Sequence, residues 1–435
     1  MAEIRPFNGI RYNTDKVQDL SLVVCPPYDV ISPQQQKELY HRDLHNFVRI
    51  EYGKQNPGDT DGDSRYTRAE TFLEQWVAEG VLKADAASSI YVDDHYFMHG
   101  GCERKRRSIM ARIRLEGWHR MVVRPHECTL VGPKSDRISL IRAIKANTSP
   151  ILSMYEDKQH AVGGVLERAT AETPLMRVGV LNGERHDIWA ITNATDLHEI
   201  ITTLADEPLY IADGHHRYES ALVYQREQMA LYPDCGSQAA FNFVMMTLVA
   251  FDDPGLFILP PHRVLRGLNQ TKLLEFKQEL ASFFDIELLA LDSAGTWAKV
   301  DAWLAAEQRP HLAMFGLDGE NFMLLTLRDF ETATRFMPSF HSDIYKKLDV
   351  SLLDHIIMEE LLHIQPESED GLVFNYDRVD AVQSVQSGDF QLAFIIQPVR
   401  PETIKAIADV SDRMPRKSTY FYPKQPSGLV MNRLV

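Results

Sequence analysis

The apolar run Leu209-Tyr210-Ile211-Ala212 passes directly into Asp213-Gly214-His215-His216-Arg217. An uninterrupted apolar run of this length is typical of a buried strand. Gly214 permits a sharp backbone turn and a close approach of the backbone to a ligand. A helix is predicted to begin at once, because apolar residues recur on one helical face from Tyr218 to Met229. The stretch therefore predicts a strand, a tight turn and a helix in succession.

The start of such a helix is a place where anions bind. Its first backbone N–H groups and the positive end of the helix dipole attract negative charge. Arg217 can add a bidentate contact to phosphate oxygens, and Asp213 can hold a magnesium ion through water. We therefore predict that this turn binds a phosphate-bearing ligand, with a nucleotide as the first candidate. The alternative is that its polar side chains only cap the helix.

Two further polar stretches carry candidate chemistry. His126-Glu127 follows a short predicted strand at 121–124 and a proline. A carboxylate near an anion site can act as a general base when its pKa is raised. Lys417-Ser418-Thr419 offers a charge and two hydroxyls in a predicted loop, which suits a carboxylate or phosphate ligand. From the residues alone, a surface glutamate beside a capping histidine and an ordinary exposed tail remain open alternatives.

Strand-like and helix-like segments alternate along the chain, and this alternation favours a mixed α/β architecture. Residues 22–30 are predicted to form an apolar strand that two prolines terminate. A hairpin is predicted over 89–115, with its turn at Gly100-Gly101. Further predictions are strands over 176–181 and 241–251, and a helix over 296–307.

The length of 435 residues predicts more than one domain. We predict an N-terminal α/β unit over residues 1–115 and a core over 116–240 that carries the phosphate-binding turn. A C-terminal α/β unit over 241–435 would then contribute the Lys-Ser-Thr loop.

Composition narrows the class of partner. The formal net charge is −15, which opposes general binding to nucleic acids or to anionic membranes, because such binding depends on Lys and Arg. The four cysteines are scattered without a zinc-binding spacing, and the first eleven residues contain no apolar signal-peptide core. We therefore expect a cytoplasmic protein with neither a nucleic-acid nor a membrane partner.

Four stretches together give the chain a resemblance to the DUF1015 family, whose function is unknown. These stretches are Pro26–Val30, Pro125–Glu127, Ile211–Glu219 and Met414–Lys424. The last three also resemble, in the same order, segments of the archaeal ADP-dependent free L-serine kinases of the ParB/sulfiredoxin superfamily. The resemblance implies an α/β (α+β) fold with a ParB/sulfiredoxin-like nucleotide-binding core and additional units on either side.

The resemblance also implies roles for individual residues. It places the catalytic glutamate at Glu127 and the nucleotide phosphates at His215, His216 and Arg217. We therefore predict a catalytic set of Glu127, Asp213 and His216, with Asp213 as the metal-binding residue. The predicted cofactor-binding residues are Gly214, His215, His216 and Arg217. The predicted substrate-binding residues are His126, Lys417, Ser418 and Thr419.

The predicted activity is phosphoryl transfer from ADP or ATP, with Mg²⁺, to the hydroxyl of a small metabolite. Free L-serine is the first candidate acceptor. The extra N-terminal unit and a longer gap between Glu127 and Asp213 distinguish this chain from the kinases, and both can build a different acceptor pocket. Two alternatives stay open: a nucleotide-binding regulator without catalysis, and a phosphatase or nucleotidase that uses the same site.

Overall fold

The computed structural model describes residues 2–129, 131–180, 183–291, 295–306, 310–365 and 371–435. By its contacts the chain forms two compact units. Unit 1 contains residues 1–125, 129–257 and 423–435, and unit 2 contains residues 126–128 and 258–422. Within the described ranges, no helix combines the length and the apolar character that crossing a membrane requires.

In unit 1, the part of the chain that the structure describes forms a mixed sheet of nine strands. Its strands and the short strands beside them are β1 (Ile4–Arg5), β2 (Ile10–Tyr12), β3 (Leu82–Ala84), β4 (Ile90–His99), β5 (Cys102–Arg114), β6 (Val123–Arg124), β7 (Ala146–Asn147), β8 (Ile151–Tyr155), β9 (Met176–Gly179), β10 (Arg185–Ile191), β11 (Leu209–Asp213), β12 (Phe243–Ala250) and β21 (Asn432–Arg433). The sheet order is β6-β11-β8-β12-β5-β4-β10-β9, with β1 paired to β5. Among the described residues of this sheet, β6 pairs with β11 and β8 with β12 in parallel, and the other neighbouring strands are antiparallel.

The described residues of unit 1 form seven α-helices: α1 (Pro33–Arg42), α2 (Val48–Glu51), α3 (Arg65–Ala78), α4 (Val131–Ile144), α5 (Ala161–Thr170), α6 (Ala194–Ala205) and α7 (His215–Leu231). Local sequence explains where two of them begin. Ser32 and Ser64 form capping boxes at the starts of α1 and α3, each bonding the backbone N–H three residues on. Such caps satisfy N–H groups that have no partner within the helix.

Within its described ranges, unit 2 contains an antiparallel sheet of six strands in the order β15-β17-β16-β19-β14-β18, and a small sheet formed by β13 and β20. Its strands are β13 (Phe257–Leu259), β14 (His262–Leu265), β15 (Phe284–Ala290), β16 (His311–Asp318), β17 (Asn321–Leu327), β18 (Leu372–Asn375), β19 (Leu392–Ile395) and β20 (Tyr420–Tyr422). Its α-helices are α8 (Gln270–Phe283), α9 (Thr296–Leu304), α10 (Phe330–Thr334), α11 (Asp343–Lys346), α12 (Asp349–Leu352), α13 (Arg378–Gln386) and α14 (Pro401–Asp409), and a π-helix covers Leu353–Leu361.

The predicted α/β class is confirmed, because helices and strands occur together in both units. The predicted hairpin is confirmed as β4 and β5. The predicted strand over 22–30 is wrong: short 3₁₀ turns occupy Leu20–Leu22 and Tyr28–Val30 instead. The predicted ends of two elements, at Leu181 and Glu307, lie outside the described residues.

The contacts combine residues 1–115 and 116–240, which the sequence analysis separates. Strand β5 pairs with β12, and β4 pairs with β10, so both stretches share the sheet of unit 1. The chain leaves this unit after Phe257, shortly beyond the predicted boundary at residue 240. As a division into folding domains, the three-part scheme stays a prediction, and so does the ParB/sulfiredoxin-like character of residues 116–240.

Candidate functional site

The stretch 209–217 folds as a strand, a one-residue turn and a long helix. Strand β11 ends at Asp213, and α7 begins at His215. Gly214 connects them with φ +97°, a left-handed conformation that side chains with a Cβ rarely adopt. A Cβ at this position would lie 2.9 Å from Nε of Arg217. The glycine is therefore required both by its dihedral angle and by the neighbouring guanidinium.

Asp213 accepts hydrogen bonds from two cations. Arg217 Nη2 donates to Oδ2 at 2.8 Å, and Lys424 Nζ donates to Oδ1 at 2.8 Å. Burial alone would raise the pKa of the Asp213 carboxyl, but the charges of Lys424 and Arg217 hold it well below its usual range. Asp213 is therefore an ionised carboxylate held between a lysine and an arginine.

This pairing bears on the predicted magnesium site. Both oxygens of Asp213 already accept from positively charged donors. A magnesium ion bound directly by this carboxylate would have to replace Lys424 or Arg217 and would then lie beside the displaced cation. The residues around Asp213 therefore do not fit direct coordination of a divalent cation. We derive no step of the chemistry through a metal at this position.

Arg217 is fixed from two sides. Its guanidinium donates to Asp213 and to the carbonyl oxygen of Pro150, and its Nε is buried without a hydrogen-bond partner among the described residues. A cavity of about 40 Å³ lies beside Arg217 and Arg137, which is far too small for a nucleotide. The predicted phosphate contact of Arg217 therefore requires a change in its present pairing and stays a prediction.

The Pro26–Val30 stretch contributes to the same region of unit 1. Asp29 lies 4.0 Å from Lys424 Nζ, and the guanidinium of Arg137 lies 3.9 Å from the ring centre of Tyr28. Arg137 in turn forms a buried ion pair with Glu51 at 3.1 Å. Lys424 was not among the predicted site residues, although it lies in the family-like stretch Met414–Lys424. Arg137 gave no signal, because it is one charged residue among several on a helix.

His215 and His216 form the first turn of α7, as predicted. The side chain of His215 is buried, and that of His216 is half-buried. The positive charge that His215 carries when protonated contributes to lowering the pKa of Asp213. These positions place both imidazoles at the end of the helix where the dipole favours anions.

A second group of predicted residues lies in unit 2. His126 Nε2 lies 3.0 Å from the Thr419 hydroxyl. Glu127 Oε1 accepts from the backbone N–H of Ser418 at 3.2 Å and from the Thr419 hydroxyl at 3.5 Å. Glu127 is the predicted catalytic residue, and the other three are predicted to bind substrate. The structure places these residues within hydrogen-bonding distance of one another, and their roles stay predictions. We call His126, Glu127, Ser418 and Thr419 the glutamate cluster.

Backbone contacts fix the glutamate cluster. The N–H of Met414 donates to the His126 carbonyl at 2.7 Å, and Glu127 and Met414 form a parallel β-bridge. Ser418 is buried, and its hydroxyl donates to the Pro415 carbonyl at 2.5 Å. This hydrogen bond stabilises the loop over residues 415–418. Lys417 has φ +55° and is exposed, and its predicted ligand contact stays a prediction.

Buried basic residues lie near the glutamate cluster within unit 2. Arg263 is buried and donates to the Pro261 carbonyl at 2.6 Å. Its guanidinium interacts electrostatically with the negative charge of Glu127. Burial lowers the pKa of the neighbouring His262 to about 4, with the charges of Arg378 and Arg263 adding to the effect. His262 is therefore neutral at pH 7. Arg263, rather than the neutral His262, therefore supplies the positive charge near Glu127.

The molecule is thus a mixed α/β protein with a strand–glycine–helix turn in one unit and a hydrogen-bonded glutamate cluster in the other. The chain belongs to the family described as "Protein of unknown function (DUF1015)", whose family model matches residues 4–351.

No curated protein matches the chain. Three solved structures to which it is similar are a free serine kinase in complex with AMP, a conserved hypothetical protein from Pyrococcus furiosus, and SbnI with C-terminal truncation from Staphylococcus aureus. The kinase is 13% identical, with 72% of this chain and 86% of that chain covered and a TM-score of 0.33. The Pyrococcus protein is 15% identical, with 75% and 95% covered and a TM-score of 0.35. SbnI is 12% identical, with 73% and 84% covered and a TM-score of 0.35. Similarity at this level carries no argument about the site.

Proposed function

We propose that the protein is a small-molecule kinase, which transfers the terminal phosphoryl group of ADP or ATP to a hydroxyl group. Free L-serine is the first candidate acceptor, on the strength of the sequence motifs. The observation that carries the proposal is the glutamate cluster: Glu127 is held by the backbone of Ser418 and the hydroxyl of Thr419. A carboxylate oriented in this way can accept the proton of an attacking hydroxyl.

The proposed transfer forms one bond to phosphorus and breaks another. The acceptor oxygen forms a bond to the terminal phosphorus, the bond from that phosphorus to the bridging oxygen breaks, and Glu127 takes the hydroxyl proton. The shortened nucleotide leaves with the bridging oxygen. Such a transfer depends mainly on positioning and on stabilising negative charge, so few side chains are needed.

The turn at Gly214 is assigned the nucleotide phosphates. The start of α7 is the positive end of the helix dipole, and Lys424 and Arg217 add positive charge beside it. Because both cations pair with Asp213 in the structure, a phosphate would compete with that carboxylate for their hydrogen bonds. We therefore assign Asp213 the task of holding Lys424 and Arg217 in place, rather than a metal.

The test is a phosphoryl-transfer assay with the full chain. Purified protein is mixed with ADP or ATP, magnesium and L-serine, then with a pool of hydroxylated metabolites, and mass spectrometry searches for a phosphorylated product. Phosphoserine would support the proposal together with its acceptor, and another phosphorylated product would retain the kinase and replace serine. Inorganic phosphate without an acceptor product would indicate a phosphatase or nucleotidase. Bound nucleotide without turnover would indicate a regulator. Either result, phosphate release without an acceptor product or nucleotide binding without turnover, would contradict the proposal.

A further inference from the structure

Three neighbouring strands of unit 1 place two histidines and an arginine side by side. His186 on β10 is directly opposite His95 on β4, and His95 is directly opposite Arg106 on β5. The two imidazole rings stack with centroids 3.8 Å apart and an interplanar angle of 28°. Both histidine side chains are buried, with at most 1% of their surface exposed. This row lies apart in sequence from every stretch that the kinase proposal uses.

Glu184 completes a set of ligand-type atoms. Its Oε2 lies 2.9 Å from Nε2 of His95. One nitrogen from each imidazole and one Glu184 oxygen all lie within 4.8 Å of one another. Bonds of about 2.0–2.2 Å to a tetrahedral zinc ion bring such ligand atoms to roughly 3.4 Å apart. Closing the set around one ion therefore requires the ligand atoms to approach one another by at most roughly 1.4 Å.

Asp93 orients the second histidine. Its two oxygens lie 2.9 and 3.1 Å from Nδ1 of His186, and Gln425 donates to it at 3.1 Å. The other nitrogen, Nε2 of His186, is buried and has no hydrogen-bond partner among the described residues. A carboxylate on one imidazole nitrogen, with the other nitrogen directed at a metal, is the usual outer support of a metal-binding histidine. The unpartnered nitrogen of His186, like the close set of ligand-type atoms, therefore indicates a site for a metal ion.

The charges around the set suit a cation. Asp93 and Glu184 are carboxylates, and Arg106 is the neighbouring positive group. A histidine that binds a metal does so as the neutral imidazole, through the nitrogen that carries no proton. Arg106 Nη2 lies 3.3 Å from Nδ1 of His95 and 3.0 Å from the Pro423 carbonyl. A metal ion at Nε2 of His95 would move the imidazole proton to Nδ1, which could then no longer accept a hydrogen bond from Arg106. Arg106 would keep its hydrogen bond to the Pro423 carbonyl.

We propose that His95, Glu184 and His186 bind a divalent transition-metal ion of the zinc type, with Asp93 as the supporting carboxylate. Imidazole and carboxylate ligands suit such ions. Three protein ligands leave the fourth position of a tetrahedral ion for water or another small ligand. The site stands independently of the proposed kinase activity, because none of its residues belongs to the glutamate cluster or to the turn at Gly214.

Zinc titration of the full chain tests the proposal. Chelator-treated protein is titrated with Zn²⁺ by calorimetry, and with Co²⁺ by visible absorption, which reports a tetrahedral site. We expect one high-affinity ion per chain. His186→Gln and Glu184→Gln should each weaken binding by at least about tenfold, and Asp93→Asn by about 10–100-fold. His99→Gln, on the same strand β4, is the matched control and should bind as the parent does.

Two further measurements keep the result decisive. Circular dichroism of each variant checks the fold, and Glu184→Gln is the informative variant if the buried His186→Gln fails to fold. The exposed Cys102, Cys128 and Cys235 are replaced by serine, because thiolates also bind zinc. Loss of zinc binding in that triple variant would overturn the proposal. So would a folded parent chain that binds no zinc, or unchanged affinity in Glu184→Gln.

Discussion

Lys424 and Asp213 are 211 residues apart in the sequence and form an ion pair with Nζ 2.8 Å from Oδ1. The pair attaches the C-terminal segment of unit 1 to the end of β11, immediately before the turn at Gly214. Arg217 holds the second oxygen of the same carboxylate. Because Lys424, Asp213 and Arg217 are largely removed from water, the charge of each would be destabilising without the opposite charge beside it.

Lys424→Met should lower the free energy of unfolding by about 1–3 kcal/mol. This loss is smaller than for breaking a fully buried ion pair, because Arg217 still forms an ion pair with Asp213. Urea denaturation measures the change. The double variant Lys424→Met with Asp213→Asn should be less destabilised than the sum of the two single variants, because the unpaired charge is removed. Strict additivity would contradict the pairing.

Gly214→Ala should destabilise the protein by about 1–3 kcal/mol, because φ +97° strains a residue with a Cβ and the new methyl contacts Arg217. Gly58→Ala is the control, since a Cβ there meets nothing within 4 Å. Thermal unfolding of both variants gives the comparison. Equal melting temperatures would show that the left-handed turn is not required.

Glu127→Gln should reduce phosphoryl transfer by about 100-fold or more, because the amide cannot accept the hydroxyl proton. Nucleotide affinity, measured by calorimetry, should remain close to that of the parent chain. Glu360→Gln changes an exposed glutamate of unit 2 and should leave both quantities unchanged. Full turnover in Glu127→Gln would remove this residue from the reaction.

Thr419→Val should impair acceptor use more than nucleotide binding, because it removes the hydroxyl that lies between His126 and Glu127. A loss of about 1 kcal/mol in stability is expected from the missing hydrogen bonds. Thr419→Ser retains the hydroxyl and should restore both properties. Steady-state kinetics over a range of acceptor concentrations separates KM from kcat, and a serine variant as impaired as the valine variant would argue against the hydroxyl.

His262 should make stability depend on pH below neutrality. Its pKa is about 4 in the folded protein and about 6.5 in an unfolded chain. As pH falls, the unfolded chain takes up the proton first, so stability is lost between about pH 6.5 and 4. The loss should approach about 3 kcal/mol. Urea midpoints for the parent and for His262→Gln measure this difference, and identical pH profiles would contradict it.

Local patterns predicted several elements well. The apolar run 209–212 and the helical periodicity after Gly214 predicted β11 and α7. The apolar run from Leu22 led to the wrong prediction of a strand, because Val23, Val24 and Cys25 are buried without forming one. Cys25 makes only an isolated bridge to Ser427. Burial of an apolar run by distant segments produces the same local pattern as a strand, so the sequence could not distinguish them.

The sequence by itself determined the α/β class, the turn at Gly214 and the stretches that carry the candidate chemistry, because these follow from periodicity and from the conformational freedom of glycine over a few residues. Tertiary structure alone decided that Lys424 neutralises Asp213, that Thr419 lies between His126 and Glu127, and that His95, Glu184 and His186 converge. These contacts join residues far apart in the chain. The two histidines meet because β10 pairs with β4, and Lys424 and Thr419 meet their partners because distant parts of the chain pack together.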